Sequence, residues 1–188
     1  MKLRAREMAF LFALGTLASL IGDHAHVVTG TTEYLSNAVP HVWSSPLWFP
    51  LVVGSATVSL AELRLHLPAP RTTVSARQGL AAVAAVLGIY VVTALVHSAS
   101  AFPANVLIYA LAILTWCALG DGAGAVCGLL AAVGGPALEA VLAETGVIRY
   151  AADSNALFKV APWLPALYFA FGVVTAVLAE IAAKRRVS

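Results

Sequence analysis

Charge is scarce in this sequence. Only 11% of its 188 residues are charged and 61% are hydrophobic, whereas soluble domains average about 25% and about 45–50%. A chain of this length cannot bury so much apolar surface within its own fold. The composition therefore excludes an ordinary soluble domain and favours a protein embedded in a lipid bilayer. The net charge of +2 gives no support for a nucleic-acid partner.

Cysteine is also scarce, and catalytic motifs are missing from the sequence. Cys117 and Cys127 both fall within apolar stretches, which predicts buried thiols rather than a disulfide framework. We find no nucleophile–base pair, glycine-rich phosphate loop or deep carboxylate dyad, so nothing indicates an enzyme, a catalytic residue or a cofactor. The two halves of the chain also lack the matching broken helices that are typical of alternating-access transporters.

Six apolar stretches are long enough to cross about 30 Å of hydrocarbon as helices. Turn-forming segments such as Ser44-Ser45-Pro46, Pro68-Ala69-Pro70 and Gly120-Asp121-Gly122 separate them. We therefore predict an all-α fold, a single six-helix transmembrane domain over residues 1–188. The predicted spans are Met8–Val28, Leu47–Leu67, Gln78–His97, Asn105–Leu119, Ala123–Leu142 and Trp163–Ala183.

Basic residues are unevenly divided between the two ends of the predicted bundle. An even helix count places both termini and two connections on one side, which holds nine basic residues, whereas the other side holds only Arg149 and Lys159. The positive-inside rule therefore predicts that both termini are cytoplasmic. The first stretch also resembles a signal peptide, but no small-x-small cleavage site follows it. The nine residues are Lys2, Arg4, Arg6, Arg64, Arg71, Arg77, Lys184, Arg185 and Arg186.

A cluster of histidines and carboxylates precedes the second span. It contains Asp23, His24, His26, Glu33 and His41. These residue types can bind a metal, but their spacing fits no standard site. Histidines solvated in an aqueous loop are the favoured interpretation, and we predict no metal ligand.

Carboxylates within the apolar stretches are costly in a membrane and can mark a functional site. Glu62 and Glu180 lie near the basic end, where Arg64 or Lys184 could pair with them. Glu139 is the deepest. A buried carboxylate with satisfied hydrogen bonds is the favoured interpretation of Glu139, and a proton-coupled small transporter is the alternative.

Glycine and proline positions predict how the helices pack. Gly120, Gly124 and Gly128 recur every four residues, a spacing that lets two helices approach closely. The fourth and fifth helices, joined by almost no loop, should form a tight hairpin. Pro136 is expected to kink or interrupt the fifth helix because it removes a backbone donor.

Several segments resemble the Insig (insulin-induced gene) family. Ser44-Ser45-Pro46-Leu47-Trp48-Phe49-Pro50, followed by Gly54, is similar to the start of that family's second helix. Trp163-Leu164-Pro165, with Gly172-Val173 beyond, resembles the start of its sixth helix. Further matches are Gly146–Tyr150, His97 with Ala104-Asn105, and Trp116, in the same order along the chain.

The resemblance implies a function without catalysis. Insig proteins are polytopic sensors that in animals reside in the endoplasmic reticulum, respond to oxysterols, retain Scap and promote degradation of the sterol-synthesis reductase. The resemblance implies a six-helix bundle with a cavity for an amphipathic lipid such as a sterol or a diacylglycerol. A membrane adaptor that holds a partner protein through helix contacts is the alternative, and a homo-oligomer is left open. From helix placement we predict that Trp48, Phe49, Gly54, Thr57, Trp163, Tyr168 and Phe169 line the cavity.

One departure from the family concerns its partner. The animal proteins carry an aspartate needed for Scap binding at the cytoplasmic end of the fourth helix, where this chain has Leu119. Asp121 lies two positions away without a basic neighbour in sequence, so we expect no Scap-type partner. The composition, rich in alanine and valine and poor in lysine, predicts a bacterial homologue in the plasma membrane; a eukaryotic one would reside in the endoplasmic reticulum.

Overall fold

The computed structural model describes residues 2–35, 39–68 and 70–184. Arg185 and Arg186 of the predicted basic side, and Ala69 of the predicted turn, lie outside the described residues. The predicted six-helix bundle is confirmed. Its helices are α1 (Ala5–Thr29), α2 (Trp48–His66), α3 (Ala76–Leu95), α4 (Ala101–Leu119), α5 (Gly122–Glu144) and α6 (Leu164–Lys184).

The helices suit a lipid environment. In the described chain, α1 and α3 to α6 are long and apolar enough to cross a membrane. The helix α2 is 19 residues long, but Glu62 and Arg64 make it less apolar. The largest boundary difference is at α4, which begins at Ala101 rather than Asn105 because Pro103 falls in its first turn, where a missing N–H costs nothing.

The last helix forms the centre of the bundle. Of the apolar stretch of α6, 67% is buried, against 22–33% for the other four spans, and α6 contacts α2, α3, α4 and α5. A Cβ added to Gly172 would lie 2.4 Å from the Cys127 carbonyl oxygen, and one added to Gly128 would lie 2.8 Å from the Phe169 ring. The glycine row of α5 therefore serves packing against α6 within the chain.

Two glycine–threonine contacts join α1 and α2. Thr57 of α2 packs on Gly15 of α1, where an added Cβ would lie 2.1 Å from its hydroxyl oxygen. Thr16 of α1 packs on Gly54 of α2 at a corresponding 2.4 Å. Each glycine provides the space that the opposite threonine fills, which brings the two helix backbones close together.

Helix α5 is not interrupted at Pro136. It runs from Gly122 to Glu144 with the proline inside, so the alternative of an interruption is wrong, whereas a kink at Pro136 stays a prediction. Small residues surround the proline: Gly134 has no heavy atom within 4 Å of an added Cβ, and Gly135 makes room for the Tyr168 ring. Gly135 therefore serves the contact between α5 and α6 beside the proline.

Short strands cover one end of the bundle, here called the hairpin end, which the α1–α2, α3–α4 and α5–α6 connections form. Strand β1 (Thr32–Tyr34) pairs antiparallel with β4 (Ile148–Tyr150), with Thr32 opposite Tyr150. Strands β2 (His41–Val42) and β3 (Ser45–Pro46) form a second small pair. A 3₁₀ turn at Ala152–Ser154 follows β4. The β1–β4 pair ties the α1–α2 connection to the α5–α6 connection.

An ionic cluster lies at the opposite end, here called the basic end. The Arg64 guanidinium contacts Glu180 at 2.5 Å and Asp121 at 3.1 Å, and Arg71 contacts Glu180 at 2.8 Å. The side chains of Arg64 and Glu180 are fully buried. The expected pairing of Glu180 with Arg64 is confirmed, and the cluster links α2, α6 and the connections beside them. That the basic end is cytoplasmic stays a prediction of the positive-inside rule.

Candidate functional site

A cavity lies between α1, α2, α3, α5 and α6 in the half of the bundle next to the hairpin end. The volume open to the centres of water-sized molecules is about 70 Å³. The whole open space, including the mouth of the cavity, is about 820 Å³. Its walls are mostly aliphatic and aromatic, with Trp48, Phe49, Tyr90, Leu167 and Phe171 among them. A pocket of this kind, apolar with a few polar groups, is typical of a small-molecule site.

The cavity extends about halfway through the bundle. On α1 its walls run from Gly15 to His26, which at 1.5 Å per residue corresponds to roughly 16 Å. The hydrocarbon core of a bilayer is about 30 Å thick. The cavity therefore occupies the depth of approximately one leaflet.

Asp23 forms the first polar group of the cavity. Asp23 lies six residues before the end of α1, beneath strands β1 and β3, and only 4% of it is exposed. The Tyr34 hydroxyl donates to both carboxyl oxygens, at 2.9 and 3.0 Å, and the Ser45 hydroxyl donates to Oδ2. Burial raises the pKa of Tyr34, so this phenol stays a hydrogen-bond donor at neutral pH.

Glu139 forms the second polar group, on α5. The Tyr168 hydroxyl of α6 donates to its Oε1 at 2.6 Å, and the Tyr150 hydroxyl of β4 donates to its Oε2. Burial also raises the pKa of Tyr150, which keeps it protonated. The interpretation of Glu139 as a buried carboxyl group with satisfied hydrogen bonds is confirmed. Gly135, one turn earlier on α5, lets the Tyr168 ring approach the helix.

His26 forms the third polar group. Its Nε2 lies 2.8 Å from the Thr93 hydroxyl oxygen. Because that hydroxyl donates to the Tyr90 carbonyl at 2.6 Å, Nε2 must carry the proton and donate. The imidazole packs edge-on against Tyr90 and Trp163, with ring centroids 4.8 and 5.5 Å apart. A hydrogen-bonded, aromatic-packed imidazole of this kind has a structural role in joining α1 to α3.

The assignment of Asp23 and His26 to an aqueous loop with solvated histidines is wrong, whereas the predicted first span, Met8–Val28, already contains both. Both belong to α1, which continues to Thr29, and His26 is only 2% exposed. The two polar side chains are accommodated within the helix because partners distant in the chain satisfy them, Tyr34 and Ser45 for Asp23 and Thr93 for His26. Across residues 2–35, 39–68 and 70–184, no three His, Cys, Asp or Glu side chains are grouped to hold a metal ion.

The structure brings three of the seven predicted lining residues together. Trp48, Phe49 and Tyr168 lie in the cavity wall. Gly54 and Thr57 lie in the α1–α2 contact instead. A role of all seven in lipid binding stays a prediction.

Two further predicted residues lie beside the cavity or away from it. Trp163 is 2% exposed and sits between His26 and Tyr150, where it supports the wall from behind. Phe169 faces the other side of α6, with its ring centroid 6.3 Å from that of Trp116. Tyr168 and Phe169 are consecutive on a helix, and a step of about 100° per residue sends them to different faces.

Several wall residues were not identified from the sequence. Tyr34 and Tyr150 come from connections and meet Asp23 and Glu139 through strand pairing and helix packing. Tyr90 reaches the wall from α3 because Gly22 of α1 leaves room for its ring. A carboxyl group inside an apolar run, as at Asp23, was the one local signal available.

This chain is similar to a bacterial protein of known structure. An INSIG protein homolog of Mycolicibacterium vanbaalenii is 61% identical over 186 residues, which span 99% of this chain and 91% of the relative. No family model matches the chain. The crystal structure of MvINS, a mycobacterial Insig homolog from Mycobacterium vanbaalenii, matches with a TM-score of 0.98 and 61% identity over 99% of this chain and 98% of that one. The cross-linked MvINS R77C trimer matches with a TM-score of 0.98 and 60% identity over the same shares.

Proposed function

The chain belongs to the Insig family, and from that premise we propose that it binds an amphipathic lipid, such as a sterol or a diacylglycerol, in the cavity between its helices. It is a multi-pass membrane protein, and its bacterial relative fits the predicted location in a plasma membrane. The observation that carries the proposal is a largely apolar cavity with polar side chains towards its hairpin end, Asp23, His26 and Glu139 among them.

The division of the cavity matches the two parts of such a lipid. Aliphatic and aromatic side chains, including Val53, Val86 and Phe171, form the deeper walls and would contact the hydrocarbon. Transfer of hydrocarbon into an apolar cavity within a bilayer gains little by itself, because lipid is equally apolar. Hydrogen bonds of the headgroup with groups near Asp23 and Glu139 would therefore provide the specificity.

The small free volume supports a sensor-like role. About 70 Å³ is room for several water molecules, since one needs roughly 10–15 Å³ on this measure. A lipid would have to separate the cavity walls in order to bind. Lipid occupancy would then change the relative positions of α1, α2 and α3, which is how a ligand can shift the balance between two conformations.

We propose that the function is non-catalytic. Each carboxyl group in the cavity accepts hydrogen bonds from two hydroxyl groups, which suits a structural acceptor. The adaptor alternative receives no support from the glycine row, because Gly128 and its neighbours face α6. The transporter alternative gains none from Glu139, whose two oxygens each accept a hydrogen bond from a tyrosine hydroxyl.

Ligand-dependent stability tests the proposal. Delipidated protein in mild detergent should unfold at a higher temperature when dioleoylglycerol or cholesterol is added, because a ligand that binds only the folded state stabilises it. Ala18→Leu, which fills the cavity from α1, should abolish this gain. Ala13→Leu adds the same side chain to an exposed position of α1 and should retain it. No gain from any neutral lipid in the wild type would contradict the proposal.

We also propose that the chain associates with copies of itself. The support is the cross-linked trimer of MvINS, which is 60% identical. The mass of the detergent-solubilised protein, measured by light scattering, should correspond to a homo-oligomer. A monomer at all accessible concentrations would contradict this.

A further inference from the structure

We propose that the polar end of the cavity selects lipids whose headgroup donates hydrogen bonds through hydroxyl groups and carries no negative charge. This selectivity rests on the lipid-binding function proposed above and names the headgroup chemistry of the same cavity. Three observations support it: two carboxyl groups at a similar depth, walls without a lysine or an arginine, and a buried hydroxyl that lacks a partner among the described residues.

The two carboxyl groups lie at the same level of the bundle. Asp23 lies six residues before the end of α1, and Glu139 lies five before the end of α5. At 1.5 Å per residue, both are therefore about 8–9 Å below the hairpin end. A carboxylate has about four acceptor positions. The hydroxyls of Tyr34, Ser45, Tyr150 and Tyr168 leave some of these positions for a ligand that donates.

The walls of the cavity offer no positive charge to a headgroup. Among the described residues that line it, none is Lys or Arg. Arg149, the arginine at the hairpin end, is 64% exposed and contacts Glu33 at the surface. Arg64 and Arg71 lie at the opposite end. An anionic headgroup would therefore meet two carboxyl groups in a low-dielectric space without a compensating cation, which is unfavourable.

Thr32 supplies the independent observation. It lines the cavity, is 8% exposed, and its hydroxyl oxygen is buried with no hydrogen-bond partner among the described residues. Strand pairing places Thr32 opposite Tyr150, which contacts Glu139. Buried hydroxyls are nearly always paired, and one without a partner costs stability. A ligand hydroxyl could accept from Thr32 and donate to a carboxyl oxygen, so that both groups would be satisfied.

Three probes with the same two acyl chains test the selectivity. Dioleoylglycerol has a free hydroxyl, its methyl ether has no donor, and dioleoyl phosphatidic acid has a phosphate instead. We expect the free hydroxyl to give binding about tenfold or more tighter than either analogue, as for the loss of a buried hydrogen bond. Dissociation constants are measured with purified wild-type protein in detergent. Equal or tighter binding of phosphatidic acid or of the methyl ether would overturn the inference.

Variants assign the effect to the named groups. Glu139→Gln should reduce the discrimination against phosphatidic acid several-fold, whereas Glu144→Gln on the same helix should leave it unchanged, because Glu144 is 71% exposed and contacts Lys159. Thr32→Val should weaken binding of dioleoylglycerol about fivefold and leave the methyl ether unaffected. Unchanged discrimination in a folded Glu139→Gln protein would overturn the inference. Binding of none of the three probes by the wild type would overturn the proposed function as well.

Discussion

Gly22→Ala provides a sensitive test of the packing around the cavity. Gly22 is on α1, and a Cβ added there would lie 2.0 Å from Cδ1 of the Tyr90 ring on α3. Real Cβ contacts are never this short, so the ring must move. The ring already contacts His26, with centroids 4.8 Å apart, and the direction left open to it is the cavity. We therefore expect a loss of both stability and lipid binding.

The expected change in the free energy of unfolding of Gly22→Ala follows from two opposing contributions. Overpacking a well-packed contact costs about 1–3 kcal/mol, whereas glycine to alanine within a helix gains up to about 1 kcal/mol. Gly88→Ala on α3 isolates the second contribution, because nothing lies within 4 Å of its added Cβ. Gly22→Ala should therefore be less stable than Gly88→Ala by about 1–3 kcal/mol.

Thermal unfolding in mild detergent, with and without dioleoylglycerol, measures both effects. Gly22→Ala should unfold at a lower temperature than wild type and gain less from the lipid, and Gly88→Ala should do neither. Combining Gly22→Ala with Tyr90→Ala should remove most of the penalty of the glycine substitution, because the two sites are coupled. A Gly22→Ala protein as stable and as lipid-responsive as Gly88→Ala would refute the reasoning.

Three further variants test other contacts by the same unfolding assay. Gly172→Ala should lower the free energy of unfolding by at least about 2 kcal/mol, because the added Cβ would lie 2.4 Å from a backbone oxygen of α5 that cannot move aside. Stability equal to wild type would argue against the close contact between α5 and α6. Glu180→Gln should lower the free energy of unfolding by about 3 kcal/mol, because it removes one of the two carboxylates that pair with the buried Arg64. The exposed Glu144→Gln should lower it by less than about 1 kcal/mol. Equal effects of the two variants would contradict the buried cluster. Tyr168→Phe should cost about 1–3 kcal/mol by removing a donor from Glu139, and Tyr109→Phe, whose hydroxyl makes an exposed 3.3 Å contact, should have little effect.

The helices could be predicted because the bilayer imposes their length. Each apolar run had to cover the hydrocarbon thickness, and turn residues such as Gly120 and Gly122 marked the ends. The predictions failed where a helix-breaking proline is tolerated, at the start of α4 and inside α5. Pro103 falls in the first turn of α4, and Pro136 sits inside α5 among glycines.

The site could be predicted only in part, because its polar groups are assembled from distant segments. Trp48 and Phe49 follow directly from the start of α2, and they do line the cavity. Asp23 is satisfied by Tyr34 and Ser45, and pairing of this kind depends on the path of a long connection. A single sequence gives no signal for that path. Tyr168 lines the cavity and the adjacent Phe169 packs on Trp116 instead. The sequence could not distinguish the two because it does not specify how α6 is rotated about its own axis.

The buried ionic cluster illustrates the same limit. Asp121 has no basic neighbour in sequence, yet Arg64 lies 3.1 Å from it in the structure. Asp121 also caps α5 by accepting from the Gly124 N–H at 2.6 Å. The cap was predictable from local sequence because aspartate is favoured at that position. The ion pair was not, because 57 residues separate its two members.

Lipid occupancy of the cavity is tested most directly by native mass spectrometry of protein purified in mild detergent. We expect a single class of uncharged, hydroxyl-bearing lipid to be retained near one per chain in the wild type. Ala13→Leu should retain that lipid, and Ala18→Leu should lose it, because only the second substitution fills the cavity. A mixture that mirrors the bulk membrane lipid, unchanged in Ala18→Leu, would contradict specific lipid binding in the cavity.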